Sequence, residues 1–374
     1  MPAVARGDPP AARVDVLGDT QRQGAVVVVQ GSGESGWAGA EALVWGGATT
    51  AGLSANALTA AVTIRDPRGA CELRIGRFVF ATGAIRPVQI DGASALARAP
   101  WGTKFETFAG MPVSLDSPRD FSWIAGGRVS QTVGTRMVLG ASYVQRREGT
   151  DVADEEVGLD FAAAPVRFLD VAARAAYDLV SPGVTEAIAS AAARVGDFRF
   201  EVFASDRSPS RLLPDTSLFT VFGDFASQNV GATIHWKAAP RLDLWLVGEG
   251  QYVGSTYGAN AIARARLSLD DRGEGSLFVE ARREDVSTAQ WTGLRFTATR
   301  PITRALRWST ELELVIPDQP QGKGVAWPWG LASLGWRASK RVELAAAIQA
   351  ASTPEHLYEV NALGRLSLLL GGTK

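Results

Sequence analysis

Residues 259–283 alternate strictly between apolar and polar, and a chain that repeats this alternation along its whole length has few folds open to it. Ala261, Ala263, Ala265, Leu267 and Leu269 share one parity, whereas Asn260, Arg264, Arg266 and Ser268 share the other. A polar turn follows at Asp270-Asp271-Arg272-Gly273-Glu274-Gly275, after which Leu277, Val279 and Ala281 oppose Glu280 and Arg282. Successive side chains of a strand point to opposite faces, so the stretch is an antiparallel hairpin with one apolar and one charged face. Carried around a closed wall, the same pattern puts apolar groups outside and ions inside.

The pattern recurs. In 167–179, Leu169, Val171, Ala173, Ala175 and Tyr177 oppose Asp170, Arg174 and Asp178; segments 241–252, 304–315 and 358–370 read the same way. Short connections fall near 133–136, 163–167, 196–197, 238–241, 270–275, 301–304 and 338–340. Mostly longer ones, at 146–156, 181–185, 206–228, 254–258, 285–288, 317–328 and 351–356, alternate with them. Short turns on one rim and longer loops on the other are the asymmetry of a transmembrane barrel, with periplasmic turns and outer loops. Upstream, 38–45, 58–65 and 71–81 continue the series. The expected fold is all-β, a single closed antiparallel transmembrane β-barrel of about 18 strands, within a range of about 16–20. Residues 1–35 form an N-terminal segment with room for one strand pair, 36–370 the barrel, and 371–374 a tail.

Composition narrows the classes. Of 374 residues 46% are hydrophobic, yet no apolar run comes near the roughly 18 residues a membrane helix needs. With 38 basic and 39 acidic residues the net charge is −1, which argues against nucleic acid as a partner. The one cysteine, Cys71, makes no internal disulfide and falls on the lipid-facing parity. An exported barrel needs a leader, and residues 1–13 hold no apolar core for one, so the leader is expected upstream or already removed.

On the apolar parity, Tyr143, Tyr177, Tyr252 and Tyr358 lie beside longer loops, and Phe198, Trp236, Trp308 and Trp336 lie nearer the short turns. Rings at both strand ends are what two membrane interfaces require. The opposite parity carries Arg74, Arg174, Arg199, Arg264, Arg266, Arg282, Arg295, Arg307 and Arg337 with Glu201, Glu249, Glu280, Glu311, Glu313 and Glu343. These are the expected pore-lining residues, because charge along a pore wall sets selectivity and because a dry core would strip such groups of hydration. The rhythm breaks at 82–119, rich in proline and glycine. Long breaks of this kind are commonly functional, so the segment is expected either to fold inward as a constriction carrying Arg86, Asp91 and Arg98 or to form an external loop with a small hairpin of its own.

With alternating strands, asymmetric turns and aromatic girdles in place, the chain resembles the porin-like outer-membrane β-barrel proteins of Gram-negative bacteria. Leu73-Arg74-Ile75-Gly76-Arg77, then Ile90-Asp91-Gly92-Ala93 and Phe108-Ala109-Gly110-Met111-Pro112-Val113, is similar to a strand-then-constriction passage in barrels of that group. The resemblance implies a Gram-negative outer-membrane location and passive transport of small solutes, with no specific substrate. Its environment would be outer-membrane lipid and lipopolysaccharide. The chain departs from the group at its end, Leu370-Gly371-Gly372-Thr373-Lys374, where an aromatic is usual.

Other chemistries find little support. The two histidines, His235 and His356, lack the partners of a hydrolase, since Lys237 follows His235 where a barrel phospholipase would place serine. Asp151, Asp154, Glu155 and Glu156 read as a solvated acidic loop, with a divalent ion bridging surface phosphates as the lesser alternative. No phosphate loop, paired-cysteine motif or metal-spaced cluster is present, so no cofactor, metal or enzymatic activity is expected. The rival reading is a non-conducting structural or adhesion barrel that binds a partner through 206–228. Solute preference and oligomeric state are not legible.

Overall fold

The computed structural model describes residues 11–371 apart from 22–23, 51, 115–121, 210–225, 254–255, 287–288 and 321–323. In chain order its strands are β1 (Ala11–Asp19), β2 (Gly24–Ser35), β3 (Ala38–Thr49), β4 (Gly52–Arg65), β5 (Cys71–Thr82), β6 (Ile85–Arg98), β7 (Thr103–Pro112) and β8 (Ser122–Val133). Then come β9 (Met137–Glu148), β10 (Asp151–Val166), β11 (Leu169–Asp178), β12 (Gly183–Val195), β13 (Phe198–Arg207), β14 (Ser227–Ala239) and β15 (Leu242–Val253). The last are β16 (Thr256–Ser268), β17 (Ser276–Val286), β18 (Ala289–Pro301), β19 (Leu306–Pro317), β20 (Trp327–Arg337), β21 (Val342–Ala351) and β22 (Glu359–Gly371). Each pairs antiparallel with its sequence neighbours. β1 closes the sheet on β22, from Ala11↔Gly371 to Asp19↔Leu363. Closure leaves the sheet without an open edge, which is the condition for a β-structure in lipid.

The barrel has 22 strands, not about 18. The four additional strands are β1 and β2 near the N-terminus, and β6 and β7 inside 82–119. Residues 91–112 of that segment are therefore wall, and 115–119 lie outside the described residues. A second difference lies at the expected 146–156 loop: β9 and β10 are joined by Gly149-Thr150 alone, and Gly149 takes a positive φ of 58°. The four acidic residues expected in a loop are strand residues. Of the 206–228 loop, residues 210–225 lie outside the described residues, as do 372–374 of the tail.

One element leaves the wall. β4 and β5 stay in register from Arg65↔Glu72 to Ala60↔Arg77, and β6 and β7 from Arg98↔Lys104 to Ile90↔Pro112. β5 and β6 go on pairing with each other to Thr82↔Ile85. Residues 78–89 thus form a hairpin released from both neighbours except for Val113 N–H, which donates to Gln89 O at 3.0 Å. The release point is a row of small residues across four strands, Ala61↔Gly76↔Gly92↔Gly110. A Cβ on Gly76 (φ 129°) would stand 2.1 Å from Ala60 O, and one on Gly92 2.1 Å from Ala109 O. Only glycine lets the sheet fold this sharply.

Past the row the hairpin doubles back along the charged inner face of β8–β12. Phe78, Ile85, Val88 and Ile90 bury against Phe108, Ile124 and Val144, with Phe80 stacked on Phe108 at 4.3 Å. This is the main apolar core of the molecule, a small sandwich inside one side of the barrel. Elsewhere most large apolar side chains face outward, Leu159, Val230 and Ile348 being more than half exposed.

Candidate functional site: the lumen

The inner face is the charged parity. Arg264 and Arg282 both donate to Glu280, at 2.5 and 2.6 Å, and Arg295 pairs with Glu311 across the strands. Arg199 pairs with Glu201 at 3.0 Å, Arg365 with Glu343 at 2.6 Å, Arg74 with Glu41, and Asn260 donates to Glu249 at 3.3 Å. Arg266, Arg307, Glu313 and Arg337 stand on the same face by register. All fifteen expected pore-lining residues therefore share one side of the wall. Along β13–β19 the arginines stay partly exposed, the Arg199 and Arg295 side chains at 45% and 39%, because no described segment covers them, while Glu280 is buried beneath Arg264 and Arg282. In water such pairs are worth up to about 1 kcal/mol each, enough to orient side chains but not to seal the lumen.

Under the hairpin the same parity is dry. Asp154, Glu156, Asp178 and Glu186 are all at least nine-tenths buried, and so is Arg86, which the hairpin carries into their midst. Arg86 donates to Thr185 O and, at 2.8 Å, to Ser208 O, and lies 3.9 Å from Glu186. Glu186 is also held by Arg174 at 2.7 Å and Arg207 at 3.4 Å. Beside the hairpin tip, Arg128 grips Asp160 and donates to Glu106 at 3.1 Å. The tip fits because wall glycines leave room: a Cβ on Gly158 would stand 2.6 Å from the Ala84 methyl.

The expected constriction residues separate. Arg86 lies in the in-folded hairpin. Asp91 lies at the bend, in a two-bond pair with Arg77 at 2.6 and 2.8 Å. Arg98 sits at the opposite end of β6, donating to Gly69 O at 2.6 Å in the β4–β5 turn, and so lies apart from the in-folded hairpin. Arg77 and Asp91 have the outward parity, which would be costly in lipid. They are placed there because the departing hairpin exposes the edge of β4. Arg77 donates to Asn56 Oδ1 and Ala57 O at 2.8 and 3.0 Å, and Gln89 to Leu58 O at 2.7 Å. These side chains replace the ladder bonds that β5 no longer supplies.

The eight girdle aromatics all project outward and exposed, from 36% for Trp308 to 91% for Tyr358, which stands just before β22. Phe198 stacks on Trp236 at 5.4 Å, and Tyr143 donates to Glu155 at 2.5 Å. His235 faces the lumen, 3.0 Å from Asp243 and stacked on Trp245 at 4.8 Å. Sequence reasoning overlooked the aromatics of the charged parity: Trp245 pairs with Arg264, Trp291 with Glu284, and Trp329 with Glu313. The signal was present, since Trp291, Gly293 and Arg295 share one parity. Among the described residues no group of three or more potential ligands could hold a metal.

The fold has known counterparts. The copper transporter OprC aligns with 98% of this chain and 81% of its own, at 8% identity and a TM-score of 0.64. The FrpB iron transporter of Neisseria meningitidis, in its apoprotein form, aligns with 96% of this chain and 81% of its own, at 7% identity and a TM-score of 0.63. The P pilus usher (PapC) translocation pore aligns with 98% of this chain and all of its own, at 10% identity and a TM-score of 0.54. No family model and no curated protein matches the sequence. At identities this low the likeness is one of fold.

Proposed function

We propose that this closed barrel, of the fold shared by outer-membrane channels and transporters, is an outer-membrane channel that passes hydrophilic solutes by diffusion. The single observation that carries the reading is the wall itself. It is apolar and exposed on its outer face and charged on its inner face, and along β13–β19 the inner arginines are partly exposed. The eight aromatics mark the two lipid interfaces, and the outer surface meets lipid and lipopolysaccharide of a Gram-negative outer membrane. The lumen charges pair with one another, so selectivity comes from local arrangement rather than net field.

Insertion of the purified chain into planar bilayers tests this. Discrete open levels are expected, together with swelling of liposomes in small sugars. An inserted but silent barrel would instead support a structural or adhesion role.

A further inference from the structure

On the lumen side facing away from the hairpin, three tryptophans lie on the water-exposed parity. Trp291 opens β18, and Trp327 and Trp329 are consecutive inward positions of β20. Register ties them together: Trp329 pairs with Glu313, which pairs with Arg295, while Trp327 pairs with Val315, which pairs with Gly293 beside Trp291. With residues about 3.3 Å apart along a strand and strands about 4.8 Å apart, the Trp291 Cα stands roughly 12 Å from that of Trp327 and about 16 Å from that of Trp329.

The Trp291 ring lies flat on the wall. A Cβ on Gly293 would stand 2.7 Å from its Cζ3, so the missing side chain is what lets the indole lie down and turn a face to the lumen. Arg282 sits 5.7 Å from the ring centroid, and Glu284 is its cross-strand neighbour.

An indole facing water forgoes the burial that lipid gives the girdle aromatics, so its placement needs another partner. The surroundings specify that partner. Arg282 is committed to Glu280 and Arg295 to Glu311, so the patch offers no unpaired arginine to an anion. Cations are disfavoured too, since the Arg282 guanidinium stands 5.7 Å from the centre of the Trp291 ring and repels a second positive charge there. What remains are electron-rich ring faces, acceptor oxygens on Glu284 and Glu313, and guanidinium edges. That set suits a neutral ligand with C–H groups on one face and hydroxyls around its rim.

We infer that Trp291, Trp327 and Trp329 form a binding track for a neutral oligosaccharide at the longer-loop mouth of the lumen. The pyranose C–H face stacks on the indoles. Ring hydroxyls donate to Glu284 and Glu313 and accept from Arg282 and Arg295. The inference rests on the channel reading and gives that lumen a ligand class.

The test uses the full chain, with maltohexaose as probe and a trigalacturonate and spermine as anionic and cationic comparators. In planar bilayers, maltohexaose should interrupt the open current in a concentration-dependent way, and the comparators should not at the same concentration. Trp291→Ala and Trp329→Ala should each weaken the block by on the order of tenfold, read as the blocked fraction of each variant's own open current. Open channels that maltohexaose fails to block, block equal in the tryptophan variants, or stronger block by either comparator would overturn the inference.

Tryptophan fluorescence in detergent reads binding without conduction. A silent barrel whose fluorescence saturates with maltohexaose, and loses that response in Trp291→Ala, keeps the site and removes the channel. No response in either assay removes the site.

Discussion

Excising residues 79–89 and closing β5 onto β6 with a two-residue turn tests what the in-folded hairpin does to the pore. With 22 strands spaced about 4.8 Å and tilted about 40°, the backbone wall has a radius of about 22 Å. Inward side chains of about 6 Å leave a lumen of roughly 800 Å² in cross-section. The hairpin is a two-stranded ribbon lying along the wall. At the usual sheet-stacking distance it takes about 10 Å by 10 Å, roughly 100 Å², or about an eighth of the opening. It therefore narrows one side without closing the pore, and its removal should raise single-channel conductance in planar bilayers by about 10–20%. A several-fold rise would show that the hairpin is a plug and that the barrel is much flatter than a circle. Unchanged conductance would place the narrowest section elsewhere. Arg77 is retained in this variant because it still caps the β4 edge.

Three further outcomes follow from the same contacts. Gly158→Leu should drive the tip off the wall, because Ala84 and Ser142 already occupy that space; a reporter cysteine at Ala84→Cys, in a Cys71→Ala background, should react with thiol reagents much faster than without the Gly158 change, and equal rates would refute the packing. Phe78→Ala should loosen the hairpin by about 3–5 kcal/mol, read as faster amide exchange over 79–89 with the wall strands unchanged; exchange spreading to the whole barrel would show that the hairpin core supports the wall. At the β16–β17 turn, the Glu274 amide, seconded by those of Gly275, Arg272 and Gly273, holds the Asp270 carboxyl below its ordinary range. Its contribution to turn stability is therefore present above the ordinary carboxylate pKa and is lost as pH falls through the depressed one. The Glu274 and Gly275 amide resonances should move only below about pH 4 and not at all in Asp270→Ala, and a midpoint above that would contradict the geometry.

The alternation of Leu, Val and Ala against Arg, Glu and Asp determined by itself that this chain makes strands with one apolar and one ionic face. Strand length and turn spacing added that they close into a barrel. Period two is a local property that survives any tertiary arrangement, which is why the sequence could assign the charged residues to one face and the aromatics to the other. Strand number could not be read across 82–119. Pro87, Gly92, Pro100, Gly110 and Pro112 look like breaks, yet in the folded chain the two glycines mark a bend between wall and hairpin. The acidic run 151–156 looked like loop for a similar reason. Its burial depends on Arg86 arriving from a hairpin some 70 residues earlier, a contact no local pattern encodes. Whether a charged parity ends up wet or dry is set by what lies across the lumen, and that only the tertiary structure decided: the hairpin covers Glu156 and Glu186 and leaves Arg295 and Trp291 to the water.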